Sequence, residues 1–292
     1  MTYWIAADWG TTTLRITRMD GTRALETRES DQGMNTLTRE QFEPALLAMA
    51  GDWIDGPTQV IACGMVGARQ GWAEAAYRSL PCTPLDSGLT KVTTQDARLD
   101  VSIVPGVRQL KPHPDVMRGE ETQIAGILAK LPEFEGVACL PGTHTKWAHL
   151  SAGEIVSFRT VMTGELFATL TGQTVLRHSL SGDGWDEDAF LAAVSDALSR
   201  PETLIAKMFE LRAADLLHGQ DAAIGRGILS GLLIGAELAA TKPWWMGRDI
   251  VITGSDKTTR AYAAALTSQG LNPKILPARD MTLAGLTAAK GT

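Results

Sequence analysis

Three cysteines are all that the 292 residues contain. Cys63, Cys82 and Cys139 are odd in number and far apart, and no CxxC-like ligand spacing occurs, so neither a disulfide framework nor a zinc site organises the chain. Reduced thiols in a cytoplasmic protein suit that usage. The first ten residues lack a basic stretch followed by an apolar one, so no signal peptide is expected. No apolar run reads as long enough to span a bilayer. The strongest, "ILSGLLIGAELAA" at 228–240, contains Glu237 and reads as a buried helix, with Ser230, Gly231 and Gly235 allowing close packing. An excess of basic residues is missing as well. A net charge of −6 recommends neither nucleic acid nor an anionic membrane as partner, so an anionic ligand would need a locally basic pocket. The length is comfortable for two domains of ordinary size.

Glycines and hydroxyls, by contrast, are concentrated in places. The stretch "AADWGTTTLR" (6–15) ends an apolar run on Asp8 and follows it with Gly10, Thr11, Thr12 and Thr13. A simple turn does not need so many backbone donors and hydroxyls; a phosphate site does. Shifted by 132 residues, the same pattern meets "ACLPGTHTKWAHLSAGEIV" (138–156): Gly10 falls on Gly142, Thr11 on Thr143, Thr13 on Thr145 and Gly21 on Gly153. Both copies read as strand, G-T-x-T turn, strand, glycine turn, strand.

The first copy predicts strands near 3–8, 13–19 and 23–29, a helix over 38–54 opened by Thr38, and strands at 59–64 and 101–106. The second predicts strands near 136–141, 145–150 and 154–161, a helix opened by Thr163, helices across 187–241, a strand at 249–254, a helix at 256–269, a short strand at 274–277 and a last helix at 281–289. The expectation is an α/β protein with a duplicated βββαβαβα plan. The segment "KPHPD" (111–115) reads as the hinge, dividing residues 1–112 from 113–292. Two phosphate turns would then face one another across a cleft.

This arrangement resembles the sugar kinase, Hsp70 and actin superfamily, built from two actin-like (ribonuclease H-like) domains with the active site in the interdomain cleft. "CGMVGARQGWAEAAY" (63–77), "MRGEETQIAGI" (117–127), "PGTHTKW" (141–147), "MTGELF" (162–167) and "LSGLLIGAE" (229–237) together resemble the 2-dehydro-3-deoxygalactonokinase family over nearly the whole chain. The resemblance implies ATP-dependent phosphorylation of 2-dehydro-3-deoxy-D-galactonate at its terminal hydroxyl. It makes Asp8, Gly10, Thr11, Thr12 and Thr13 the first phosphate motif, with Asp8 reaching Mg²⁺ through water. It makes Gly142, Thr143 and Thr145 the second phosphate motif, and Gly254 with Ser255 a loose version of the adenosine motif. The last helix, 281–289, would lie at the domain crossing, with Ala284 and Gly285 small there. "RGEETQIAG" occupies the slot of a G-D-Q-Q-A-like stretch whose acid is the catalytic base. Glu120 falls on the acid and Glu121 beside it, one methylene longer than the aspartate of the pattern.

Each of these residues has a plainer reading. Asp8 could be a turn-forming residue after a strand, and Glu120 and Glu121 could be helix-start charges favoured by the macrodipole. Arg69, in "GARQGW", suits a sugar-acid carboxylate and could equally be a solvated loop arginine, with Arg15 the next candidate. Asn35, in "DQGMNTL", could read sugar hydroxyls or be an ordinary loop residue. His144 and Lys146 lie in the second turn without a preference between them. "SGDGWDEDAF" (181–190) reads as a turn and helix start rather than a calcium loop, and "KPWW" (242–245) as a packing cluster. Another keto-deoxy sugar acid or a neutral sugar as acceptor, and a non-catalytic nucleotide-binding scaffold or sensor, stay open as alternatives. So does a homo-oligomer. The partners expected are the sugar acid and ATP.

Overall fold

A computed structural model describes residues 3–85 and 88–291. The chain begins with three strands, β1 (Tyr3–Trp9), β2 (Leu14–Asp20) and β3 (Arg23–Ser30), and a helix α1 (Phe42–Ala50). Strands β4 (Thr58–Gly64), β5 (Arg78–Ser79), β6 (Thr90–Lys91), β7 (Leu99–Ile103), β8 (Val107–Gln109) and β9 (Asp115–Met117) follow, then helix α2 (Glu120–Lys130). The second copy starts with β10 (Gly136–Leu140), β11 (Thr145–Ser151) and β12 (Glu154–Val161). It continues through α3 (Thr163–Gln173), α4 (Glu187–Ser199), α5 (Leu204–His218), α6 (Ala222–Ala240), α7 (Lys242–Trp245), β13 (Ile250–Ile252), α8 (Asp256–Thr267) and β14 (Lys274–Ile275). Helix α9 (Ala278–Lys290) comes last.

The duplication is real at the level of topology. One sheet runs β3-β2-β1-β4-β7-β6 and the other β12-β11-β10-β13-β14, so in both a three-strand meander is followed by parallel additions on the side of the first strand, with β6 closing the first sheet antiparallel to β7. In each copy the G-T-x-T turn joins the first strand to the second. The central strands are buried on both faces, and they read as near-continuous apolar runs such as "VIAC" in β4.

Two compact units divide the chain: Met1–Glu135, Leu150–Phe158 and Ala278–Thr292 form unit 1, and Gly136–His149 with Arg159–Pro277 forms unit 2. The division differs from the one expected at 112/113. "KPHPD" is not a linker: it is the loop of the β8–β9 hairpin inside unit 1, closed by Gln109 Nε2 donating to the His113 carbonyl at 3.0 Å. Two prolines suit a hairpin tip as well as a hinge, which is why the sequence pattern misleads there. The hairpin tip of β11 and β12 joins unit 1 through a Cys82–Ile155 bridge and through Phe158 N–H donating to Gln109 Oε1 at 3.0 Å.

The core of unit 1 is an aromatic knot. Trp9 lies 4.9 Å from Phe42 and 6.0 Å from Trp72, centroid to centroid, and all three are buried among Leu14, Ile16, Val60 and Ile103. The predicted helix over 38–54 is shorter than expected, with 3₁₀ turns at Arg39–Gln41 and Gly51–Trp53 flanking α1; Thr38 does open it, its N–H held by Gln41 Oε1 at 2.7 Å. In unit 2, α6 is longer than the 228–240 run, and its 19 residues are long and apolar enough to cross a membrane by length and composition alone. Here it is a packing element. Cβ atoms at Gly227, Gly231 and Gly235 would meet the carbonyls of Asp186, Phe190 and Val194 at 2.3–2.6 Å, so this stripe is what lets α6 lie against α4. Asp186 caps α4, accepting from Ala189 N–H at 2.8 Å, and Trp245 of α7 is buried with its Nε1 on the Leu238 carbonyl, so both stretches have the plain structural roles read from sequence.

The last helix is fixed by the same device within unit 1. A Cβ at Gly126 of α2 would lie 1.9 Å from the Met281 carbonyl, and one at Gly285 of α9 would lie 1.9 Å from the Thr122 carbonyl. The backbones touch, so Gly285→Ala forces α2 and α9 apart and should destabilise the protein by about 1–3 kcal/mol, the usual cost of overpacking. Urea unfolding of the variant checks this; an unchanged midpoint would contradict the contact.

Candidate active site

Unit 1 gathers most of the expected chemistry at the carboxyl ends of β1 and β4. The β1–β4 register pairs Asp8 with Cys63 and Trp9 with Gly64. Gly64 has φ +89°, and a Cβ there would meet the Trp9 carbonyl at 2.7 Å. Gly119 has φ +103°, and its Cβ would lie 3.3 Å from Gly64 Cα. Two glycines with left-handed backbones thus let the start of α2 close onto the end of β4. Glu120 and Glu121, the first residues of α2, are thereby brought to the strand end that carries Asp8. Their charges are felt at Cys63, whose thiol burial pushes well up, with Asp8, Glu121 and Glu120 adding to the push.

The two glutamates differ in kind. Glu121 is fully buried, with Oε2 accepting from Gly119 N–H at 2.7 Å and Oε1 accepting from the Thr122 hydroxyl at 3.0 Å. Burial, seconded by the Glu120 charge, raises its pKa to about 7. Glu120 is half-exposed and accepts from Arg118 N–H at 3.1 Å. Of the pair, Glu120 is the one with access to solvent.

Asp8 keeps 34% of its side chain in solvent, with Arg15 Nη1 3.5 Å from Oδ2 and Cys63 Sγ 4.0 Å from Oδ1. Burial pushes its carboxyl up, Arg15 pulls it down and Glu29 adds to the rise. Arg15 itself is committed, its Nε and Nη2 on Glu29 Oε2 at 3.0 and 2.9 Å. A substrate carboxylate would have to displace Glu29, which weakens Arg15 as the fallback anion site.

The first turn is built with its carbonyls turned into the protein. Gly10 N–H donates to the Thr13 carbonyl at 2.9 Å, Met34 N–H to the Gly10 carbonyl at 3.0 Å, and Asn35 N–H to the Thr11 carbonyl at 2.9 Å. Gly33 packs so tightly on Thr12 that a Cβ would lie 2.2 Å from its carbonyl carbon. Thr11 and Thr12 stay exposed. With acceptors spent inward, hydroxyls and amides are what the turn offers an anion. The same packing brings Asn35, exposed, directly onto the turn. Trp9 ties the segment down, its Nε1 donating to the Gln32 carbonyl at 2.9 Å.

Arg69 lies on a loop whose backbone is held by a residue the sequence reading passed over. Arg39 donates to the carbonyls of Arg69 at 2.8 Å and Gly71 at 3.2 Å. The Arg69 side chain is exposed and engages no partner among the described residues. Arg118, also passed over, stacks on Tyr77 at 4.4 Å and donates to the Ala75 carbonyl at 2.7 Å, bracing the loop from below. Its position one residue before the G-E-E run was the available signal.

Unit 2 holds the second turn. Gly142, Thr143 and His144 are exposed after β10. Gly164 at the start of α3 abuts the turn, since a Cβ would meet the Gly142 carbonyl at 2.2 Å, and Glu165 N–H donates to the Thr143 carbonyl at 2.9 Å. His144 Nε2 pairs with Glu165 Oε2 at 2.6 Å, and buried Lys146 donates to the His144 carbonyl at 3.0 Å, so Lys146 supports the turn from within. Thr145 departs from the expectation: it is fully buried with its hydroxyl on Tyr262 OH at 2.9 Å, an internal anchor rather than a phosphate ligand. Alternation along β11 explains this, because Thr145 already belongs to the strand and points inward. Gly254 approaches Pro141, whose carbonyl a Cβ would meet at 2.8 Å, and Ser255 caps α8 with its side chain accepting from Thr258 N–H. The turn, Gly254 and Ser255 therefore sit together at the carboxyl ends of β10 and β13, where open α/β sheets take ligands.

Among the described residues no group of three or more His, Cys, Asp or Glu is disposed to hold a metal. Asp8 nevertheless suits Mg²⁺, a hard cation that takes one or two carboxylates and draws its other oxygens from phosphates and water.

A duplicated sheet with a glycine–threonine turn after the first strand of each copy is an actin-like fold. The (R)-2-hydroxyglutaryl-CoA dehydratase component A of Acidaminococcus fermentans shares that fold at a TM-score of 0.53 and 14% identity, with 100% of this chain and 98% of the other covered. The family is narrower. Residues 8–289 match the 2-keto-3-deoxy-galactonokinase family, and the chain belongs to it. The 2-dehydro-3-deoxygalactonokinase of Escherichia coli (strain K12) is 35% identical over 277 residues, 91% of this chain and 90% of its own. A Rhizobium meliloti (strain 1021) relative provisionally given the same name is 39% identical over 299 residues, 98% of this chain and 96% of its own. A crystal structure from Sinorhizobium meliloti, described as a candidate enzyme of that name, superposes with a TM-score of 0.91 at 38% identity over 98% of both chains.

Glu121 generates a pH prediction. Its folded pKa of about 7 lies above the ordinary 4.5, so the folded chain holds a proton that the unfolded chain has released across that window. Stability must then fall as pH rises through it, by about 2–3 kcal/mol between pH 5 and 8 from this group alone. Glu121→Gln removes the effect. Unfolding midpoints of the two proteins should diverge between pH 5 and 8; parallel curves would contradict the buried carboxyl.

Proposed function

We propose that this chain transfers the γ-phosphoryl group of ATP to the terminal hydroxyl of 2-dehydro-3-deoxy-D-galactonate, giving the 6-phosphate and ADP. Family membership supports the reaction class and the acceptor. The observation that carries the residue roles is the closure of Gly119 onto Gly64, which sets a half-exposed carboxylate, Glu120, at the end of β4, the strand paired with the one that carries Asp8.

Phosphoryl transfer asks a protein for positioning, charge neutralisation and a proton acceptor. Glu120 accepts the proton of the sugar hydroxyl as the new bond to phosphorus forms. Glu121, buried beside it, holds the first turn of α2 through Gly119 N–H and Thr122, and its raised pKa lessens the negative charge beside the base. Gly10 closes the first turn, and Thr11, Thr12 and Thr13 give donors to phosphate oxygens. Gly142 and Thr143 do the same in unit 2, and Gly254 with Ser255 lets the backbone approach the nucleoside. Asp8 is the carboxylate that would hold Mg²⁺, and the ion, when bound, would supply neutralisation of phosphate charge.

The acceptor side is read by Arg69 and Asn35. Arg69 has its backbone fixed by Arg39 and its guanidinium free in solvent, the state a carboxylate receptor needs before binding. Asn35 lies on the first turn and offers an amide to the sugar hydroxyls.

A coupled ADP-release assay across a panel of sugar acids and neutral sugars tests the reading. Turnover should be highest with 2-dehydro-3-deoxy-D-galactonate; a neutral sugar as the best acceptor would overturn the substrate assignment, and no turnover with any acceptor would favour a non-catalytic nucleotide-binding protein. Arg69→Ala should raise the KM for the sugar acid by about 10–100-fold, as expected from losing a charged hydrogen bond, and leave the KM for ATP near its starting value. Equal KM values in variant and parent would place the carboxylate elsewhere.

A further inference from the structure

The interior of unit 2 contains a carboxylate that the reaction itself does not use. Glu237, on α6, is buried and receives three neutral donors from three different elements. Trp147 Nε1 of β11 donates to Oε1 at 2.7 Å, Tyr262 OH of α8 donates to Oε2 at 2.6 Å, and the Thr163 hydroxyl at the first turn of α3 donates to Oε2 as well. Because Tyr262 gives its only proton to Glu237, the Thr145 hydroxyl, 2.9 Å from Tyr262 OH, donates to the tyrosine. Burial holds the Glu237 carboxyl above the usual range, with Thr163, Tyr262 and Trp147 pulling it back.

Each donor stands next to a loop of the nucleotide side. Thr145 and Trp147 open the strand that follows Gly142, Thr143 and His144. Thr163 precedes Gly164 and Glu165, whose backbones pack against Gly142 and bond Thr143. Tyr262 lies on the helix that Ser255 caps, just after Gly254. We infer that Glu237 is a positioning residue for nucleotide binding: its carboxylate gathers Trp147, Thr163 and Tyr262, and through them fixes the second phosphate turn, the start of α3 and the start of α8 in one arrangement. The inference rests on the reading of Gly142 and Thr143 as phosphate ligands.

An acceptor-only group is what this position requires. Trp147 can only donate, so an amide in place of the carboxylate must either turn its nitrogen toward the indole N–H or take the two hydroxyl protons away from their acceptor. A buried polar cluster left half satisfied loosens all the elements it joins. The effect should appear in nucleotide affinity before it appears in the acceptor side, since none of the three donors belongs to unit 1.

The test measures ATP and sugar-acid KM, kcat and direct ATP binding by calorimetry for Glu237→Gln, Tyr262→Phe, the double variant and Thr143→Glu. Glu237→Gln should raise the KM and Kd for ATP about tenfold and Tyr262→Phe severalfold, with the sugar-acid KM within about twofold of the parent. The double variant should be no weaker than Glu237→Gln alone, because both changes cut the same network. Tyr262→Phe keeps its ring in place and serves if Glu237→Gln does not fold. A lower melting temperature with ATP affinity unchanged in every folded variant would overturn the inference and leave Glu237 a stability element. Thr143→Glu, which puts a negative charge on the exposed turn, should abolish ATP binding. If it does while the Glu237 and Tyr262 variants bind ATP normally, only the positioning role fails; if Thr143→Glu also binds normally, the phosphate reading of the turn fails and the inference with it.

Discussion

The contact of Gly119 with Gly64 is the constraint on which unit 1 depends. A β4 strand ending in any other residue would need a Cβ where the Trp9 carbonyl lies, and an α2 beginning after any other residue would stand off from the strand end. From that contact follow the burial of Glu121, the half-exposure of Glu120 and the nearness of both carboxylates to Cys63, whose thiol burial and these charges push up. The far side of α2 is held by an equally close approach to α9 through Gly126 and Gly285. A helix gripped on both sides by backbone contact has little freedom to move its first turn, and a proton acceptor has to be held in place.

The two copies of the plan have the same topology and different chemistry. The first places carboxylates at its strand ends: Asp8 on β1, Glu120 and Glu121 on α2. The second places exposed backbone and hydroxyls there, with its one buried carboxylate, Glu237, turned inward to hold the frame. Close glycine contacts recur at the same kind of place, Gly33 on Thr12 in the first copy and Gly164 on Gly142 in the second, each pressing a neighbouring segment onto a G-T-x-T turn. The duplication thus supplies two closely packed turns, and what surrounds them has diverged: carboxylates beside the first, exposed backbone and hydroxyls beside the second.

Much of this was legible in the sequence, for identifiable reasons. Strands with continuous apolar runs and the repeated turn gave most strands of both sheets to within three residues, and Thr38 and the stretch 181–190 marked helix starts through ordinary capping chemistry. What escaped was set by tertiary contact. The pattern of "KPHPD" could not distinguish a hairpin loop from a linker. The two-residue strands β5 and β6 are too short to carry a period. Thr145 sits in a phosphate-like motif, yet strand alternation turns its hydroxyl inward to Tyr262. Arg15 looked available because its partner Glu29 lies on a different strand, and Glu237 was read only as a charge within a buried helix because its three donors come from distant parts of the chain. Spacing along a chain reveals local chemistry; it does not reveal which partner has already claimed a side chain.

The central claim is that Glu120, not Glu121, accepts the proton of the sugar hydroxyl. Side-by-side kcat measurements on Glu120→Gln and Glu121→Gln, with ATP affinity measured on the same preparations, test it most directly. Glu120→Gln should lower kcat by about two to four orders of magnitude with ATP affinity nearly intact, and Glu121→Gln should keep far more turnover. A dead Glu121→Gln beside an active Glu120→Gln would move the base by one residue, and substantial turnover in both would remove the start of α2 from the chemistry.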